Sequence, residues 1–340
     1  MNNTYINHIN EFLNHQQQRL NGYYNHNYVI TIERKKYLLR IPIKDATIMD
    51  IRLIPEKVIL DLIEANGING PRVIFEYHTE KMDCYLHNYI QGNTIEELYP
   101  EMSPMPDWVV ARIAHHMSEY HSIQIENFED VRQLIPWKYE SKDFYNYIYD
   151  FNRRLIEKYW SPYQEIYEAF HFPKTVDKAI IRRVDKIKDS PFCLCHADIH
   201  RKNVLIQSEK QEANIIDWEL SLIGTLYYDI SIHFHKMRYI KEQEELFFDI
   251  YSKKTGIDLG MLKEQVDLFR ELEEIKSVSI DVIRYITDIK DENISEKIIE
   301  SNAERYNTKL IKVYDRWKTA DSERVSLEFI KDLFFSYRKR

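Results

Sequence analysis

Two short polar segments constrain what this chain can fold into and do more than any other feature. Each of them lies next to apolar residues. Residues 196–203 read H-A-D-I-H-R-K-N, and Asp217 comes fourteen positions after Asn203, at the end of the apolar run Ala213 to Ile216. A carboxylate two residues after a histidine, followed five residues later by an asparagine, is the layout of a phosphoryl-transfer catalytic loop. In that layout Asp198 accepts the proton of the attacking hydroxyl, and Asn203 and Asp217 hold a magnesium ion.

The alternative interpretation is that Asp198 and Asn203 are turn formers between two strands, where both residue types are common. The flanking residues argue against an ordinary polar hairpin, because Phe192, Leu194 and the run Val204 to Ile206 are apolar. These apolar residues predict that the polar loop is held between buried strands. Magnesium prefers oxygen ligands and keeps several waters, so one carboxylate, one amide oxygen and the ATP phosphates suffice to bind it.

Composition and charge narrow the class of protein. The chain has 340 residues, 30% of them charged, and a net charge of −8, which argues against a nucleic-acid-binding surface. The sequence contains no apolar run long enough for a membrane span, and its start lacks the pattern of a secretory signal. We therefore expect a cytoplasmic protein that acts on a small molecule, with no nucleic-acid, membrane or obligate protein partner.

The three cysteines cannot form a disulfide framework. Cys193 and Cys195 share one face of a predicted strand directly before His196, so a Cys-x-Cys-His metal site is conceivable. Because no other cysteine cluster completes such a site, we interpret these residues as small buried side chains.

The pattern of elements predicts an α+β protein with two lobes. A small β-rich N-lobe is expected over residues 1–90 and a large, mainly helical C-lobe over residues 91–340. For the N-lobe we predict a helix at about 4–20, strands at 28–32 and 37–41, a helix at 55–66 that ends at Gly67, and strands at 72–77 and 84–90. Beyond a capping box at Thr94 and Glu97, helices are predicted at about 107–122, 141–169, 175–188, 241–254, 260–289, 293–318 and 325–338.

The order of these segments resembles the aminoglycoside phosphotransferase and choline kinase family of small-molecule kinases, over nearly the whole chain. The resemblance implies a bilobal, protein-kinase-like fold, and ATP and Mg²⁺ as cofactors. The segment G-Y-Y-N-H-N-Y at 22–28 resembles the family's nucleotide loop, which assigns Gly22 and Asn25 to the phosphates. The segment Y-L-L-R-I-P at 37–42 resembles the strand that supplies a basic phosphate-binding residue, here Arg40.

Two more segments of the nucleotide site follow from the same resemblance. Glu56 matches the helix glutamate that pairs with the basic residue, although the helix dipole alone also favours an acidic residue there. The segment Y-L-H-N-Y-I-Q-G at 85–92 resembles the hinge whose backbone groups bind adenine, which gives Asn88, Tyr89 and Ile90 as binding residues.

Further positions match the family with less specific roles. His121 is expected to be structural, and Asp229, a lone carboxylate beside an apolar residue, is expected to be a buried orienting group. The string H-R-K-N differs from the usual family pattern, which has glycine and proline there. Arg201 and Lys202 are candidates to neutralise the γ-phosphate, with Lys202 preferred as a catalytic residue; both are alternatively solvated cations. His200 is a candidate for either that role or a substrate contact.

The predicted function is ATP-dependent phosphorylation of a hydroxyl on a small, amine-bearing molecule, such as an aminoglycoside-like compound or an amino alcohol. The amine is expected because carboxylates occur in helices that should border the acceptor; the alternative is an ordinary solvated helix face. These carboxylates are Glu271, Glu273, Glu274 and Asp281.

Two other functions are weighed against this one. A protein-substrate kinase needs a long activation segment, but Gly224 follows Asp217 by only seven residues, and the D-F-G and A-P-E signatures are absent. A nucleotide-binding pseudokinase with a scaffold or sensor role is expected to lack the base or the metal ligands. Asp198, Asn203 and Asp217 are all present.

Overall fold

A computed structural model of the protein describes residues 2–14, 25–42, 55–79, 83–100, 103–125, 140–164, 183–289, 294–316 and 324–338. The chain divides into two compact units. One comprises Met1–Pro136 and Pro191–Leu262, and the other comprises Trp137–Ser190 and Lys263–Arg340. The lobe boundary at residue 90 is a different division of the chain and stays a prediction. Among the described residues, none of the helices combines the length and the apolar character needed to span a membrane.

Helices dominate the described chain outside its first hundred residues. The α-helices are α1 (Asn2–Asn14), α2 (Glu56–Ala65), α3 (Ile95–Leu98), α4 (Asp107–His121), α5 (Ser141–Trp160), α6 (Leu226–Met237), α7 (Lys241–Thr255), α8 (Leu259–Ile289), α9 (Glu296–Arg316) and α10 (Leu327–Arg338). The predicted capping box is present at the start of α3, where Thr94 and Glu97 satisfy each other's backbone N–H groups.

The first unit begins with a four-stranded antiparallel sheet that covers the four predicted N-lobe strands. Its strands are β1 (Asn25–Ile32), β2 (Lys35–Pro42), β3 (Val73–His78) and β4 (Asp83–Asn88), in the order β1-β2-β4-β3. Side chains alternate along each strand, so one set faces a common apolar core. Ile30, Ile32, Leu39 and Leu86 are buried there together with Ile9 of α1.

Helix α2 forms because its apolar residues recur every three or four positions. The buried set is Ile59, Leu60, Leu62 and Ile63. The helix ends where predicted, before Gly67, whose φ of 69° is left-handed. Gly92 lies where the chain leaves the sheet, and a side chain there would bring its Cβ within 3.0 Å of the carbonyl oxygen of Ile206. This close approach explains why a glycine is needed.

Short strands hold the two polar segments in place. A three-stranded sheet contains β5 (Asn93–Thr94), β7 (Val204–Gln207) and β8 (Glu212–Ile215), and a two-stranded sheet contains β6 (Phe192–Cys195) and β9 (Leu222–Thr225). The loop 196–203 connects β6 to β7, and Asp217 follows β8. All of these strands are antiparallel, and β6, β7, β8 and β9 carry buried apolar residues, as the apolar flanks of the loop indicated.

Three helix predictions need correction. Helix α6 was not predicted, because nearly all of its residues are buried and it lacks a polar face. The helix predicted at 141–169 ends at Trp160, where the next residues form a 3-10 turn containing Pro162, which has no N–H to continue an α-helix. Within the helix predicted at 175–188, Val184–Lys186 form a 3-10 turn, and Lys188 then donates its N–H to Gln265 at 2.9 Å. Residues 165–182 lie outside the described residues.

Three buried histidines make the stability of the first unit sensitive to pH. Burial lowers the pKa of His87 and of His116 to about 4, and that of His233 to about 3. Because an unfolded histidine has its ordinary, higher pKa, the unfolded chain binds more protons between these values. We expect the free energy of unfolding to fall as the pH drops from about 6.5 towards 4, by up to about 1.4 kcal/mol per pH unit for each histidine.

Urea unfolding at several pH values between 7.5 and 5 measures this slope. The variant His116→Gln should reduce the slope, whereas His8→Gln, which changes a partly exposed histidine of α1, is the matched control. A free energy of unfolding that stays constant across this pH range would show that these rings are protonated in the folded protein.

Candidate active site

The loop between β6 and β7 brings Asp198 and Asn203 into contact. The side-chain nitrogen of Asn203 donates to the backbone oxygen of Asp198 at 3.0 Å and lies 3.3 Å from its Oδ2. His200 Nε2 lies 3.7 Å from the same Oδ2. Since the amide nitrogen of Asn203 is used inside the loop, its amide oxygen is the atom that can coordinate a cation.

The segment that carries Asp217 is hydrogen-bonded to this loop. Ile216 donates its N–H to the carbonyl oxygen of Asn203 at 2.9 Å, and its own carbonyl oxygen lies 3.0 Å from Nε2 of His196. Ala197 and Asp217 both have left-handed backbones, with φ of 60° and 67°. Such conformations cost non-glycine residues about 1–3 kcal/mol and cluster at functional sites. The two polar segments therefore form one site.

Asp229 of α6 fixes the start of the loop 196–203. Its carboxylate accepts hydrogen bonds from the backbone N–H groups of His196 at 3.0 Å and Ala197 at 2.7 Å. The hydroxyl of Tyr120 and the Nε2 of His121 contact it from α4, at 2.5 and 3.1 Å. Burial by itself raises the pKa of Asp229, but the contacts from His121 and Tyr120 outweigh burial and lower the pKa to about 2. The predicted burial and hydrogen bonding of Asp229 are confirmed.

Arg40 lies among three carboxylates in the first unit. Its Nη1 is 2.6 Å from both oxygens of Glu56, which confirms the predicted pair, and its Nη2 contacts Asp217 and lies 3.8 Å from Glu219. Asn25 in turn donates to Glu219. Burial disfavours the charge on Arg40, but the carboxylates outweigh burial and raise its pKa. Burial likewise raises the pKa of Asp217, yet the nearby Arg40 brings it below its ordinary value.

Three of the remaining nucleotide-binding candidates lie at the end of β4 and directly after it, namely Asn88, Tyr89 and Ile90. Asn88 ends β4 and exchanges two hydrogen bonds with Arg72, in which its N–H donates at 3.1 Å and its side-chain oxygen accepts at 2.6 Å. Tyr89 is exposed and Ile90 is half-buried in the chain that follows. Gly22 lies outside the described residues. The hinge role of this segment stays a prediction.

Arg201 and Lys202, the two basic residues of the loop 196–203, occupy different environments. Lys202 has an exposed side chain, and its backbone N–H donates to Nδ1 of His200 at 3.1 Å. Arg201 is buried, and its guanidinium donates to the carbonyl oxygens of Tyr99 at 2.6 Å and Met237 at 3.0 Å. Arg201 therefore ties the loop to its scaffold, which is a structural role rather than one at the γ-phosphate.

Lys236 is a residue of this site that the sequence analysis missed. It lies in the last turn of α6, and its ammonium group contacts Oδ1 of Asp198. The signal is its spacing: Lys236 comes seven residues after Asp229, so both lie on one face of α6 and reach the same loop. The spacing indicates a shared face only if the segment is a helix, and no helix was predicted there.

The carboxylates expected at the acceptor are neutralised inside the second unit. Their ion pairs are Glu271 with Arg183 and Arg316, Glu274 with Arg316, Glu273 with Lys276, and Asp281 with Lys309. Glu271 lies 2.6 Å from Arg183, and burial raises the pKa of Glu271 to about 7 even though the two arginines lower it. These residues therefore form neither an unpaired acidic surface nor an ordinary solvated helix face, which were the two interpretations from sequence.

Cys193 and Cys195 are buried with their sulfur atoms 4.0 Å apart, as small core side chains are expected to be. The histidine that lies close enough to bind one metal ion together with these two cysteines is His121, and not His196. Both ring nitrogens of His121 already have partners, namely the hydroxyl of Tyr251 at 2.7 Å and Asp229. The hydrogen bonds account for the position of His121 without a metal.

Comparison with known proteins agrees with this geometry. The profile of a family described as the phosphotransferase enzyme family matches residues 15–264. The chain belongs to this family, and the predicted class of enzyme, a kinase that acts on small molecules, is confirmed at that level. No curated protein matches the chain.

Solved structures share the fold at low sequence identity. An ethanolamine kinase of Plasmodium vivax is 18% identical with a TM-score of 0.58, and the match covers 78% of this chain and 75% of that one. Choline kinase LicA of Streptococcus pneumoniae is 17% identical with a TM-score of 0.58, covering 93% and 100%. A gentamicin complex of APH(2")-IIa is 15% identical with a TM-score of 0.55, covering 94% and 96%. The predicted protein-kinase-like fold is confirmed.

Proposed function

We propose that this protein transfers the γ-phosphoryl group of ATP to a hydroxyl of a small molecule, with Asp198 as the base. The observation that carries the proposal is the hydrogen bond between Ile216 and Asn203, at 2.9 Å. It joins the loop of Asp198 to the segment of Asp217. A base and two oxygen ligands for a cation are thereby held together on short, buried strands.

The side chains fit a magnesium ion. Asn203 offers an amide oxygen and Asp217 a carboxylate, and hard oxygen donors of this kind suit Mg²⁺ completed by waters and phosphates. When bound, the ion neutralises charge on the phosphates of ATP. Burial raises the pKa of Asp217, but contact with Arg40 outweighs burial and lowers it, so this carboxylate is ionised, as a ligand of a cation has to be.

Arg40 and the groups around it serve the nucleotide in this proposal. Glu56 fixes the guanidinium, which can grip a phosphate with two parallel N–H groups. Gly22 and Asn25 are proposed for the phosphates, and the backbone of Asn88, Tyr89 and Ile90 for adenine. Lys202, exposed on the catalytic loop, is proposed to approach the γ-phosphate. These assignments rest on the family resemblance.

The chemical step uses Asp198. The acceptor oxygen forms a bond to the γ-phosphorus, the bond from that phosphorus to the β–γ bridging oxygen breaks, and ADP leaves. The proton of the acceptor hydroxyl moves to the carboxylate of Asp198. A positioned general base typically contributes about 10²–10⁴-fold to the rate.

An amine-bearing acceptor stays part of the proposal, but its support has changed. The four carboxylates that favoured an amine are ion-paired within the second unit. The remaining support is the likeness to structures named for kinases of choline, ethanolamine and gentamicin. A pseudokinase is not favoured, because the base and both metal ligands are assembled in one site.

A screen for ADP release tests this function. The protein is mixed with ATP, Mg²⁺ and one compound at a time from a panel of amino sugars, amino alcohols and homoserine-like compounds. We expect ADP to form only when a suitable acceptor is present. Magnesium-dependent ATP binding by calorimetry without ADP release for any acceptor would favour the pseudokinase instead.

A further inference from the structure

The environment of the base points to the chemical class of the acceptor. We propose that Lys236 selects acceptors that carry an anionic group, a carboxylate or a phosphate, close to the hydroxyl that is phosphorylated. The inference rests on the proposed function, because it assigns Asp198 as the base. It concerns one half of the site only, namely the part that binds the acceptor.

The two oxygens of the Asp198 carboxylate have different partners. Oδ2 lies 3.3 Å from the amide nitrogen of Asn203 and 3.7 Å from Nε2 of His200, so it faces the proposed metal ligand. Oδ1 is in contact with the ammonium group of Lys236. Lys236 therefore approaches the base at the oxygen that is not turned towards Asn203. The acceptor hydroxyl must reach one of these two oxygens.

Lys236 is open enough to meet an incoming molecule. Its side chain is 32% exposed, whereas that of Asp198 is 16% exposed. It lies in the last turn of α6, together with His235, where the helix dipole favours positive charge. Arg238 follows directly after the helix. The end of α6 is thus rich in basic residues, of which Lys236 is the one in contact with the base.

Lys236 and the acceptor hydroxyl can compete for Oδ1 of Asp198, and an anionic acceptor removes this competition. The ammonium group of Lys236 is in contact with Oδ1, one of the two oxygens of Asp198 that can take the proton of the acceptor hydroxyl. A carboxylate or phosphate on the acceptor gives Lys236 a second partner and frees Oδ1, because charge-assisted hydrogen bonds of this kind are strong. A cationic group at the same place would be repelled by Lys236.

The contact also limits the size of the acceptor. An anion bound to Lys236 sits about 2.7–2.9 Å from its ammonium nitrogen. Because that nitrogen touches the base, the anionic group and the reacting hydroxyl must be separated by only a few bonds. The class that fits is a small hydroxy acid or a hydroxyl-bearing phosphate ester. An amine elsewhere on the same molecule, as in a hydroxy amino acid, is compatible with this requirement.

Matched acceptors and variants test the inference. The panel pairs ethanolamine with serine and 3-aminopropanol with homoserine, and compares glycerol with glycerate and glycerol 3-phosphate, so that carboxylate and phosphate are distinguished. The variants are Lys236→Met and Lys236→Arg. The control is Lys253→Met, which removes a lysine of α7 that also pairs with an aspartate, Asp249, at 2.7 Å, on the exposed surface.

We expect the wild-type protein to show higher kcat/KM for the anionic member of at least one matched set. Lys236→Met should raise KM for that compound by about 10–100-fold, the range for losing a hydrogen bond between charged groups. Loss of the contact with Asp198 should change kcat for all acceptors alike, so the measure of selection is the ratio of kcat/KM between the anionic and the uncharged member, which should fall towards one. Lys236→Arg should keep part of the preference, and Lys253→Met should behave as wild type. Thermal unfolding and MgATP binding of Lys236→Met show whether the variant is folded.

Three results would overturn the inference. A wild-type preference for the amino alcohols, unchanged in Lys236→Met, would leave the proposed function intact and remove Lys236 from acceptor selection. An equal loss of kcat/KM with every acceptor in Lys236→Met, which leaves the ratio between matched acceptors unchanged, would show that this lysine acts on the chemical step and not on the choice of acceptor. If the wild-type protein phosphorylates none of the compounds in these matched sets, the proposed function and the inference both fail.

Discussion

Replacement of Asp198 by asparagine is expected to lower kcat by at least about 100-fold, the typical contribution of a general base. An amide has nearly the size of a carboxylate, so the loop keeps its shape, but an amide cannot take the proton of the acceptor. Because Asp198 is not a proposed nucleotide ligand, the affinity for MgATP should stay within a few-fold of wild type. The defect therefore belongs to the chemical step.

Steady-state kinetics with the best acceptor and calorimetry with MgATP make this comparison. Asp249→Asn is the matched control, since it makes the same chemical change to an exposed aspartate that is also paired with a lysine. A kcat of Asp198→Asn within a few-fold of wild type would remove Asp198 from the role of base.

Replacement of Asp217 by alanine is expected to weaken magnesium-dependent ATP binding by roughly tenfold or more, the size of one lost interaction with a charged group. Asn203→Ala should have a smaller effect, because an amide oxygen carries only a partial charge. The fold should persist in the Asp217 variant, since Arg40 keeps Glu56 at 2.6 Å and Glu219 at 3.8 Å as partners.

Calorimetry with and without Mg²⁺ separates the metal from the nucleotide. Wild type and Asp217→Ala should differ strongly with Mg²⁺ and much less without it. If the affinity for ATP is the same in both proteins when Mg²⁺ is present, Asp217 is not a metal ligand.

The parts of the site that were predictable from sequence are those with a local signature. The loop of Asp198 and Asn203 lies between short apolar strands, and the spacing to Asp217 is set by the antiparallel pair β7 and β8. The pair of Arg40 and Glu56 followed from the family resemblance, and the structure confirms it at 2.6 Å. Glu219, two residues after Asp217, joins the same cluster.

The parts that were missed depend on tertiary structure. Helix α6 has no polar face because it is buried on nearly all sides, so its periodicity gave no signal and Lys236 could not be placed. Sequence also overstated the acidic character of the 271–281 segment. Glu271, for example, meets Arg183 and Arg316, which are distant in the sequence and become neighbours only in the folded second unit.

Phosphoryl transfer from ATP to a hydroxyl can be observed directly by ³¹P NMR of a mixture of the protein, ATP, Mg²⁺ and an acceptor. We predict a new phosphomonoester resonance that grows in step with ADP in the presence of the wild-type protein. The resonance should be lost with Asp198→Asn and when Mg²⁺ is chelated. A spectrum in which ATP is unchanged with every acceptor, or in which only inorganic phosphate accompanies ADP, would contradict a phosphotransferase built on Asp198, Asn203 and Asp217.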